Sequence, residues 1–378
     1  MSGWADWFAD QRASREDNGL QRVLRPRAAA EDVIDLANND YLGLSSHRAV
    51  CQAASEAALT WGAGAGASRL VTGTTTLHAD LERALAAFTG REAGLVFSTG
   101  YQANLSAVTA LADKHSLIIS DAHVHASLID AARLSRATIH VVPHNDVAAV
   151  HTALDQADGR RALVLTESIF SVLGDTAPLT DLAASCTAHD ALLVVDEAHA
   201  LGVAGHGGTG LVHDHDLADH PHVVMTATLS KALGAMGGAV LGSAALIDHL
   251  INRARPFIFD TGLAPAPTAA ALAALDQLRQ RPELPAQIHQ RGNELATRLD
   301  VPPAAGAVLS VPMPSPRIAT TAQAEAREAG IRVGCFRPPS VPDGISRLRI
   351  TTEVGLDDTS WSHAVDRLAT IINHHQEA

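Results

Sequence analysis

The chain has 378 residues and a formal net charge of −13 at pH 7. This length exceeds that of one ordinary compact domain, so we expect either two domains or one large domain with an appendage. The acidic balance argues against nucleic acid as a partner, because non-specific binding to nucleic acid needs a basic surface.

The three cysteines, Cys51, Cys186 and Cys335, lie far apart and form no CxxC pair. This usage is typical of a reducing compartment without a disulfide framework. The N-terminus MSGWADWFADQRASRED has no apolar core of a secretory signal, and no apolar run has the length needed to cross a bilayer. We therefore expect a cytoplasmic protein with no membrane partner.

Short apolar runs alternate with helix-length segments between about residues 90 and 245. Seven of them are candidate strands: GLVF (94–97), SLIIS (116–120), IHVV (139–142), ALVLT (162–166), ALLVVD (191–196), HVVMT (222–226) and GAVLG (238–242). Runs of this kind separated by helices predict a doubly wound α/β sheet of mostly parallel strands buried on both faces.

The C-terminal third of the chain has a different pattern. A long alanine-rich helix is predicted over 264–280, and Pro282 and Pro285 then mark a break. Helices and short strands such as RLRIT (347–351) follow, which indicates a smaller α+β domain. We predict an N-terminal segment over 1–45, a large α/β domain over 46–282 and a small C-terminal α+β domain over 283–378.

Ligands of open α/β sheets bind beyond the carboxyl ends of the strands, so the polar residues that follow each run are candidates. Asp196 ends ALLVVD, and His199 lies three residues later. Asp196 would pair with a protonated pyridine nitrogen, and His199 would reach a neighbouring phenolic oxygen. The alternative is that Asp196 only caps the next helix.

Two further strands end in the same way. Glu167 and Ser171 follow ALVLT, although both could be ordinary helix-start residues. Thr228, Ser230 and Lys231 follow HVVMT in TATLSKALGAMGG (226–238). A lysine whose pKa is lowered by desolvation is a nucleophile for carbonyl groups. The alternative is an exposed loop lysine.

Gly100 and Tyr101 lie at a predicted strand-to-helix turn, where free backbone N–H groups can bind a phosphate. His125, in SDAHVHAS, could stack on a flat aromatic ligand. Metal binding by His123 and His125 is the competing interpretation, but no third ligand occurs at a recognisable spacing. We therefore predict no metal site.

These segments together resemble the α-oxoamine synthases, acyltransferases of the aspartate-aminotransferase fold (fold type I). The likeness covers nearly the whole chain. It lies in NDYLGL (39–44), SRLVTGTTTLHADLE (68–82), STGYQAN (98–104), DAHVHAS (121–127), DEAHALG (196–202), TATLSKALG (226–234), FIFDTGLAP (257–265) and FRPPSVP (336–342) with RLRIT.

The resemblance implies pyridoxal phosphate as cofactor, with Lys231 as the lysine that forms a Schiff base with it. It also implies that Asp196 holds a proton on the pyridine nitrogen, that His199 contacts the phenolic oxygen and that His125 stacks on the ring. Further cofactor contacts carried over from the family are Gly100, Tyr101, Glu167, Ser171, Thr228 and, from a neighbouring subunit, Thr261. The last of these implies a homodimer with shared active sites.

For the substrates, the resemblance implies that Arg349 pairs with an amino-acid carboxylate, with Arg347 as the structural alternative. Asn39 would complete the substrate site, and Arg22 would lie near the entrance for the acyl donor. The members most similar to this chain condense L-alanine with pimeloyl-CoA or pimeloyl-acyl-carrier protein. They give 8-amino-7-oxononanoate, CoA and CO2 in biotin biosynthesis.

The alternative within the family is a synthase that uses glycine, of the glycine C-acetyltransferase or 5-aminolevulinate synthase type. Outside catalysis, the alternatives are a regulatory domain that binds pyridoxal phosphate and an inactive scaffold. The first would need a DNA-binding module, for which the chain has no basic N-terminal region. The second is hard to reconcile with the presence of Lys231, Asp196, His199 and His125.

Overall fold

The computed structural model describes residues 3–17, 20–29, 31–338, 341 and 343–376. The chain divides into two compact units, one up to Val33 and the other from Ile34 onward. The first unit contains helix α1 (Trp4–Asp17). Three residues of the FRPPSVP segment, at positions 339, 340 and 342, lie outside the described residues.

The second unit contains two sheets and the helices packed on them. The strands are β1 (Ile34–Leu36), β2 (Ala93–Phe97), β3 (Leu117–Asp121), β4 (Thr138–Val142), β5 (Ala162–Glu167), β6 (Leu192–Asp196), β7 (Val223–Thr228), β8 (Gly238–Gly242), β9 (Val308–Pro312), β10 (Ile331–Phe336) and β11 (Arg347–Thr351). The helices from α2 to α7 are Arg48–Trp61, Thr76–Thr89, Gly100–Leu111, Ala126–Ser135, Val147–Asp155 and Leu179–Ala188. Those from α8 to α14 are Leu211–Asp214, Ala244–Arg253, Arg255–Phe259, Pro265–Gln280, Leu284–Leu299, Pro316–Glu328 and Asp358–Gln376.

The larger sheet has seven strands in the order β2-β8-β7-β6-β5-β3-β4. All seven predicted strands are found, each within two residues of the predicted bounds. Leu163 and Leu165 of β5 pack into one apolar cluster and Val164 into another, because successive side chains of a strand point to opposite faces. The sheet is thus covered on both faces, and its core comes from the Val, Ile and Leu runs of the sequence.

The sheet is mostly parallel, as predicted, but two of its strands depart from the general pattern. β8 runs antiparallel to both β7 and β2. Only residues 229–237 separate β7 from β8, and a parallel crossover needs a dozen residues or more. β4 is an edge strand in which only Val142 is buried, so it is not covered on both faces.

The smaller sheet has the order β1-β10-β11-β9. β1 pairs parallel with β10, whereas β10, β11 and β9 pair antiparallel. Apolar residues of α12, α13 and α14 pack with this sheet in one cluster. β1 comes from the predicted N-terminal segment, yet it hydrogen-bonds within the C-terminal sheet. The predicted domain boundaries at residues 45 and 282 remain predictions.

The predicted helix over 264–280 is confirmed as α11, and α12 begins directly after the break at Pro282. Among the described residues, no helix is both long enough and apolar enough to span a bilayer.

Candidate active site

The candidate site lies at the carboxyl ends of three neighbouring parallel strands. Glu167 ends β5, Asp196 ends β6 and Thr228 ends β7, and the register pairs Glu167 directly with Asp196. The loop after β7 then carries Lys231. The topology therefore gathers residues that lie far apart in the sequence at one edge of the sheet, as predicted for a ligand site of an open α/β fold.

A chain of hydrogen bonds begins at Lys231. Its Nζ lies 2.9 Å from Nε2 of His199, and Nδ1 of His199 lies 2.7 Å from the hydroxyl of Tyr41. The Tyr41 hydroxyl in turn donates to Oδ1 of Asn39 at 3.1 Å. All three hydrogen bonds can form at once if donation runs in one direction along the chain. The Lys231 ammonium donates to Nε2 of His199, Nδ1–H of His199 donates to the Tyr41 oxygen, and the Tyr41 O–H donates to the Asn39 amide oxygen.

Burial changes the acid–base properties of this chain. Desolvation lowers the pKa of Lys231 to about 8, although the carboxylates of Asp196 and Glu167 oppose the shift. Desolvation also lowers the pKa of His199 well below its usual range, and the positive charge of Lys231 lowers it further. Burial raises the pKa of Tyr41 to about 12. Near neutral pH, His199 and Tyr41 are thus uncharged, while Lys231 can exchange a proton.

Asp196 is 5% exposed, and its carboxylate is held by two donors. Nδ2 of Asn104 donates to Oδ2 at 2.7 Å, and the backbone N–H of Ala198 donates to Oδ1 at 2.9 Å. The Asn104 side chain is fixed in turn, because its oxygen accepts from Thr226 at 2.6 Å. The carboxylate is therefore oriented before any ligand binds.

Glu167 is fully enclosed beside Asp196. Desolvation raises its pKa well above the usual range, and the charge of Asp196 raises it further. Oε2 accepts from the backbone N–H of Ser171 at 3.1 Å, whereas Oε1 is buried without a hydrogen-bond partner among the described residues. Buried polar atoms rarely stay unpaired, so Oε1 fits a site that a polar ligand completes.

A candidate phosphate site lies where α4 begins. Thr99 caps the helix by accepting from the N–H of Gln102 at 3.0 Å, so the first N–H groups at Gly100 and Tyr101 face the helix start. The hydroxyls of Thr228 and Ser230 lie 2.8 Å apart. A Cβ at Gly100 would lie 2.9 Å from that of Thr228, so only glycine allows this approach.

His125 caps α5, and its Nδ1 lies 2.8 Å from the hydroxyl of Ser127. Nδ2 of Asn104 donates to the same hydroxyl at 2.8 Å. The amide that orients Asp196 therefore also fixes Ser127, the residue that hydrogen-bonds to His125. The ring of Tyr101 meets that of His125 edge-on, with centroids 6.4 Å apart. The His125 ring is thus fixed in orientation but remains exposed.

The two arginines of β11 have different surroundings. Arg347 forms an ion pair with Asp343. Arg349 is 5% exposed and donates to the carbonyl of Ser171 at 2.8 Å and to Oδ1 of Asn39 at 3.0 Å. Within the described part of the chain, no carboxylate pairs with Arg349. A buried guanidinium without a counter-ion is expensive, so Arg349 is the better partner for a substrate carboxylate.

The structure therefore brings together most of the predicted residues, and Arg349 joins the hydrogen-bonded chain of Lys231 at Asn39. Thr261 is exposed and bridged to Ser68, and its contact with the cofactor of a neighbouring subunit remains a prediction. Arg22 belongs to the first compact unit, and its role also remains a prediction.

Sequence reasoning missed Tyr41 and Asn104 as site residues. Both stood in segments that carried the resemblance, NDYLGL and STGYQAN, but neither is an obvious catalytic type. Asn104 had one local signal, since it lies one helical turn after Gly100 and thus on the same side of α4. Tyr41 had none, because its partner His199 lies 158 residues away.

The partly buried imidazole of His144 connects the loops that carry His125 and Ser171. Nδ1 of His144 lies 3.0 Å from Asp121, which ends β3, and Nε2 lies 2.9 Å from Asp175. Burial alone would lower the pKa of His144, but the hydrogen bonds to the two carboxylates outweigh it and raise the pKa to about 9. The ring also contacts that of His123, with centroids 4.6 Å apart and the planes tilted by 47°.

We expect this imidazolium to make stability depend on pH. A folded-state pKa raised from 6.5 to about 9 stabilises the protein fully below pH 6.5, and the contribution is lost as pH rises through 9. His144→Gln should therefore lower the free energy of unfolding by roughly 1–3 kcal/mol at pH 6 and by clearly less at pH 10. Urea unfolding of both proteins at the two pH values measures this. A pH-independent difference would contradict the assignment of charge to His144.

Pyridoxal phosphate fits the residues present at this site. Lys231 offers an amine to its aldehyde, Asp196 an oriented carboxylate to its ring nitrogen, and His199 a hydrogen-bonding group beside the amine. The start of α4 with Thr228 offers donors to its phosphate. The unpartnered Oε1 of Glu167 adds a polar atom next to Asp196 that a ligand can satisfy.

Comparisons with known proteins agree with this geometry. Residues 31–368 match the aminotransferase class I and II family. The 8-amino-7-oxononanoate synthase of Mycobacterium sp. (strain KMS) is 54% identical over 370 residues, 98% of this chain and 96% of the relative. Among solved structures, the serine palmitoyltransferase of Sphingomonas wittichii is 27% identical with a TM-score of 0.91 and covers 99% of both chains. An 8-amino-7-oxononanoate synthase from Francisella tularensis is 27% identical with a TM-score of 0.77, covering 90% of this chain and 98% of that one.

Another serine palmitoyltransferase structure, with a TM-score of 0.91 and 26% identity, was solved with pyridoxal phosphate. The predicted fold class and cofactor are thereby confirmed. The chain belongs to the aminotransferase class I and II family, and it is a pyridoxal-phosphate-dependent acyltransferase related to the 8-amino-7-oxononanoate synthases.

Proposed function

We propose that this protein condenses L-alanine with a pimeloyl thioester, carried by CoA or by acyl-carrier protein, to give 8-amino-7-oxononanoate, CO2 and the free thiol of the carrier. The observation that carries the proposal is the position of Arg349. Its guanidinium is buried without a carboxylate partner among the described residues and is linked through Asn39 and Tyr41 to the His199–Lys231 pair. An α-amino acid has the matching carboxylate and amine. The names of the relatives at 54% identity support the same reaction.

The residues around the amino acid would have distinct tasks. Pyridoxal phosphate, when bound, withdraws electrons from the carbon that carries the amine, and Asp196 strengthens this by holding a proton at the ring nitrogen. Arg349 would orient the carboxylate through two N–H donors. Lys231, with its pKa lowered to about 8, would take the proton from Cα of the amino acid and return one at the end.

His199 would orient the Lys231 amine through its unprotonated Nε2. Burial keeps both His199 and its partner Tyr41 uncharged. Nε2 of His199 can therefore accept a hydrogen bond from the Lys231 amine without taking its proton. His125 has the fixed orientation needed to stack on a flat ring, as the family likeness implies.

The acyl donor has a candidate cavity beside these groups. A cavity of about 350 Å3 borders His125 and Ser171. Its apolar wall includes Ile129, Phe170 and Leu173. This size falls within the range of pockets for small ligands, and an apolar wall suits a chain of methylene groups. The cavity supports an acyl substrate that lies directly next to the amino-acid site.

A homodimer in the cytoplasm is part of the proposal. The surface next to Thr261 exposes large apolar side chains, with Leu70 53%, Val71 73% and Phe259 67% exposed. The bridge between Ser68 and Thr261 joins the segments that carry them. Exposed apolar patches of this kind mark protein interfaces. Analytical ultracentrifugation should give the mass of two chains. A stable monomer would contradict the proposed homodimer.

The competing function is a synthase that uses glycine. It would share Lys231, Asp196 and Arg349, and excluding the methyl group of alanine is worth only about 1–3 kcal/mol. The geometry therefore supports an α-amino acid, while the preference for alanine rests on the relatives.

Thiol release from pimeloyl-CoA tests the choice of substrates. The protein loaded with pyridoxal phosphate should release CoA with L-alanine at least about 10-fold faster than with glycine, since one methyl group is worth 10-fold or more in a fitted pocket. Faster release with glycine, or release only from a shorter acyl-CoA, would move the protein to the competing function. Mixtures that lack the amino acid serve as the control for thioester hydrolysis.

A further inference from the structure

A cluster of potential metal ligands lies on the surface between α6 and α7. It consists of His151, Asp155 and His189. Nε2 of His189 lies 2.9 Å from Oδ1 of Asp155, and Nε2 of His151 lies 3.9 Å from Oδ2 of the same carboxylate. The two imidazole rings have centroids 4.8 Å apart. One ligand atom from each of the three residues thus lies within 4.8 Å of the other two.

Secondary structure fixes the position of each ligand. His151 and Asp155 are four residues apart on α6, so both side chains lie on one face of the helix. His189 is the C-cap residue that follows α7, and α7 packs against α6. The cluster is reachable from solvent, since the side chains of His151 and Asp155 are 53% and 62% exposed.

The hydrogen bonding of His189 suits it to bind a cation. Its Nδ1 lies 2.8 Å from the carbonyl oxygen of Ser185, and because a carbonyl only accepts, Nδ1 must carry a proton. In the neutral ring the lone pair is then on Nε2 and points at Asp155. Histidines that bind metals commonly donate their other N–H to a backbone carbonyl in this way.

The two atoms that face each other in the cluster are both electron-rich. Nε2 of neutral His189 and Oδ1 of Asp155 can stay 2.9 Å apart only with a cation between or beside them. A proton needs just these two atoms, whereas a metal ion also uses His151. In tetrahedral zinc sites, ligand atoms at about 2.0–2.2 Å from the ion are separated by roughly 3.4 Å. The ligand atoms of this cluster all lie within 4.8 Å of one another, so small side-chain adjustments would bring them to that spacing.

We propose that His151, Asp155 and His189 form a binding site for Zn2+, with water as the fourth ligand. Imidazole and carboxylate together favour zinc and similar divalent transition metals over Mg2+. Residue 155 ends α6 and residue 189 follows α7, and each is followed by the amino end of a strand, β5 and β6. The site is thus at the opposite edge of the sheet from Lys231. A bound ion would cross-link α6 and α7 and would take no part in the reaction.

Zinc titration of untagged, pyridoxal-phosphate-loaded protein after chelator treatment tests the proposal. Because the chain has 20 histidines, variants are compared with the wild type by calorimetry and by Tm. The wild type should bind about one Zn2+ more per chain than His151→Gln and should gain Tm with zinc but not with Mg2+. His151→Gln keeps the Asp155–His189 pair, so its Tm without metal should match that of the wild type.

The matched control is His363→Gln, another exposed histidine, which should bind zinc like the wild type. His189→Gln should weaken zinc binding by more than about 10-fold, because loss of even an outer-shell partner of a ligand typically costs that much. Equal zinc stoichiometry and affinity in the wild type and in His151→Gln would overturn the proposal. So would a zinc-induced gain in Tm that survives in both variants.

Discussion

Lys231→Ala should reduce thiol release by roughly 10³-fold or more, because the variant loses both the nucleophilic amine and the group that moves the Cα proton. The structure gives the reason for this size. The Lys231 amine is directed by His199 at 2.9 Å and has its pKa lowered to about 8 by desolvation, so no solvent group replaces it in the same place. The measurement is the rate with saturating pyridoxal phosphate and both substrates.

Because the sequence contains only two lysines, the other one serves as the control for this prediction. Lys114 is the other lysine in the sequence, and it is exposed. Lys114→Ala should therefore keep the wild-type rate. After borohydride reduction of the loaded wild type, peptide mapping should find the cofactor on Lys231. Full activity of Lys231→Ala, or a cofactor attached to Lys114, would refute the role assigned to Lys231.

Asp196→Asn should lower kcat by ~10²–10³-fold, a loss typical of removing one group that stabilises charge in the transition state. Asn104 and Ala198 donate to different oxygens of Asp196, so the single oxygen of asparagine can keep only one of the two hydrogen bonds and a modest fall in Tm is expected. What disappears is the negative charge that holds a proton on the ring nitrogen of the cofactor. Comparing kcat and Tm with those of the wild type separates the chemical effect from the structural one.

Asn104→Ala is the matched variant for this comparison. It removes the donor that orients Asp196 but leaves the charge. It should therefore lose less activity than Asp196→Asn, even though it also removes the hydrogen bonds to Ser127 and Thr226. An Asp196→Asn enzyme within a few-fold of wild-type kcat would contradict the role of the carboxylate.

Much of the large sheet could be predicted because its signal is local. Each strand is a continuous apolar run, and Asp196, Glu167 and Thr228 follow such runs directly. Burial on both faces of a parallel sheet demands these runs, and the ligand site must lie where they end. The candidate cofactor residues therefore followed from the order of elements, and the family likeness then assigned their roles.

The features that sequence reasoning missed depend on contacts between distant segments. Tyr41 reaches His199, and Arg349 reaches Asn39 across 310 residues, so no local pattern marks either contact. β1 likewise joins β10 from the far end of the chain. The direction of β8 is an exception, since the short loop that excludes a parallel crossover was visible in the sequence.

Carbon dioxide release from carboxyl-labelled L-alanine tests the central claim most directly, because it separates decarboxylative condensation from every other use of the same site. With pimeloyl-CoA, the account predicts that labelled CO2 and free CoA thiol appear in equal amounts, and that both are lost in Lys231→Ala. CoA thiol formed without labelled CO2 would contradict the account, since it would mean simple hydrolysis or N-acylation. Labelled CO2 formed without the thioester would contradict it equally, since it would indicate an amino-acid decarboxylase.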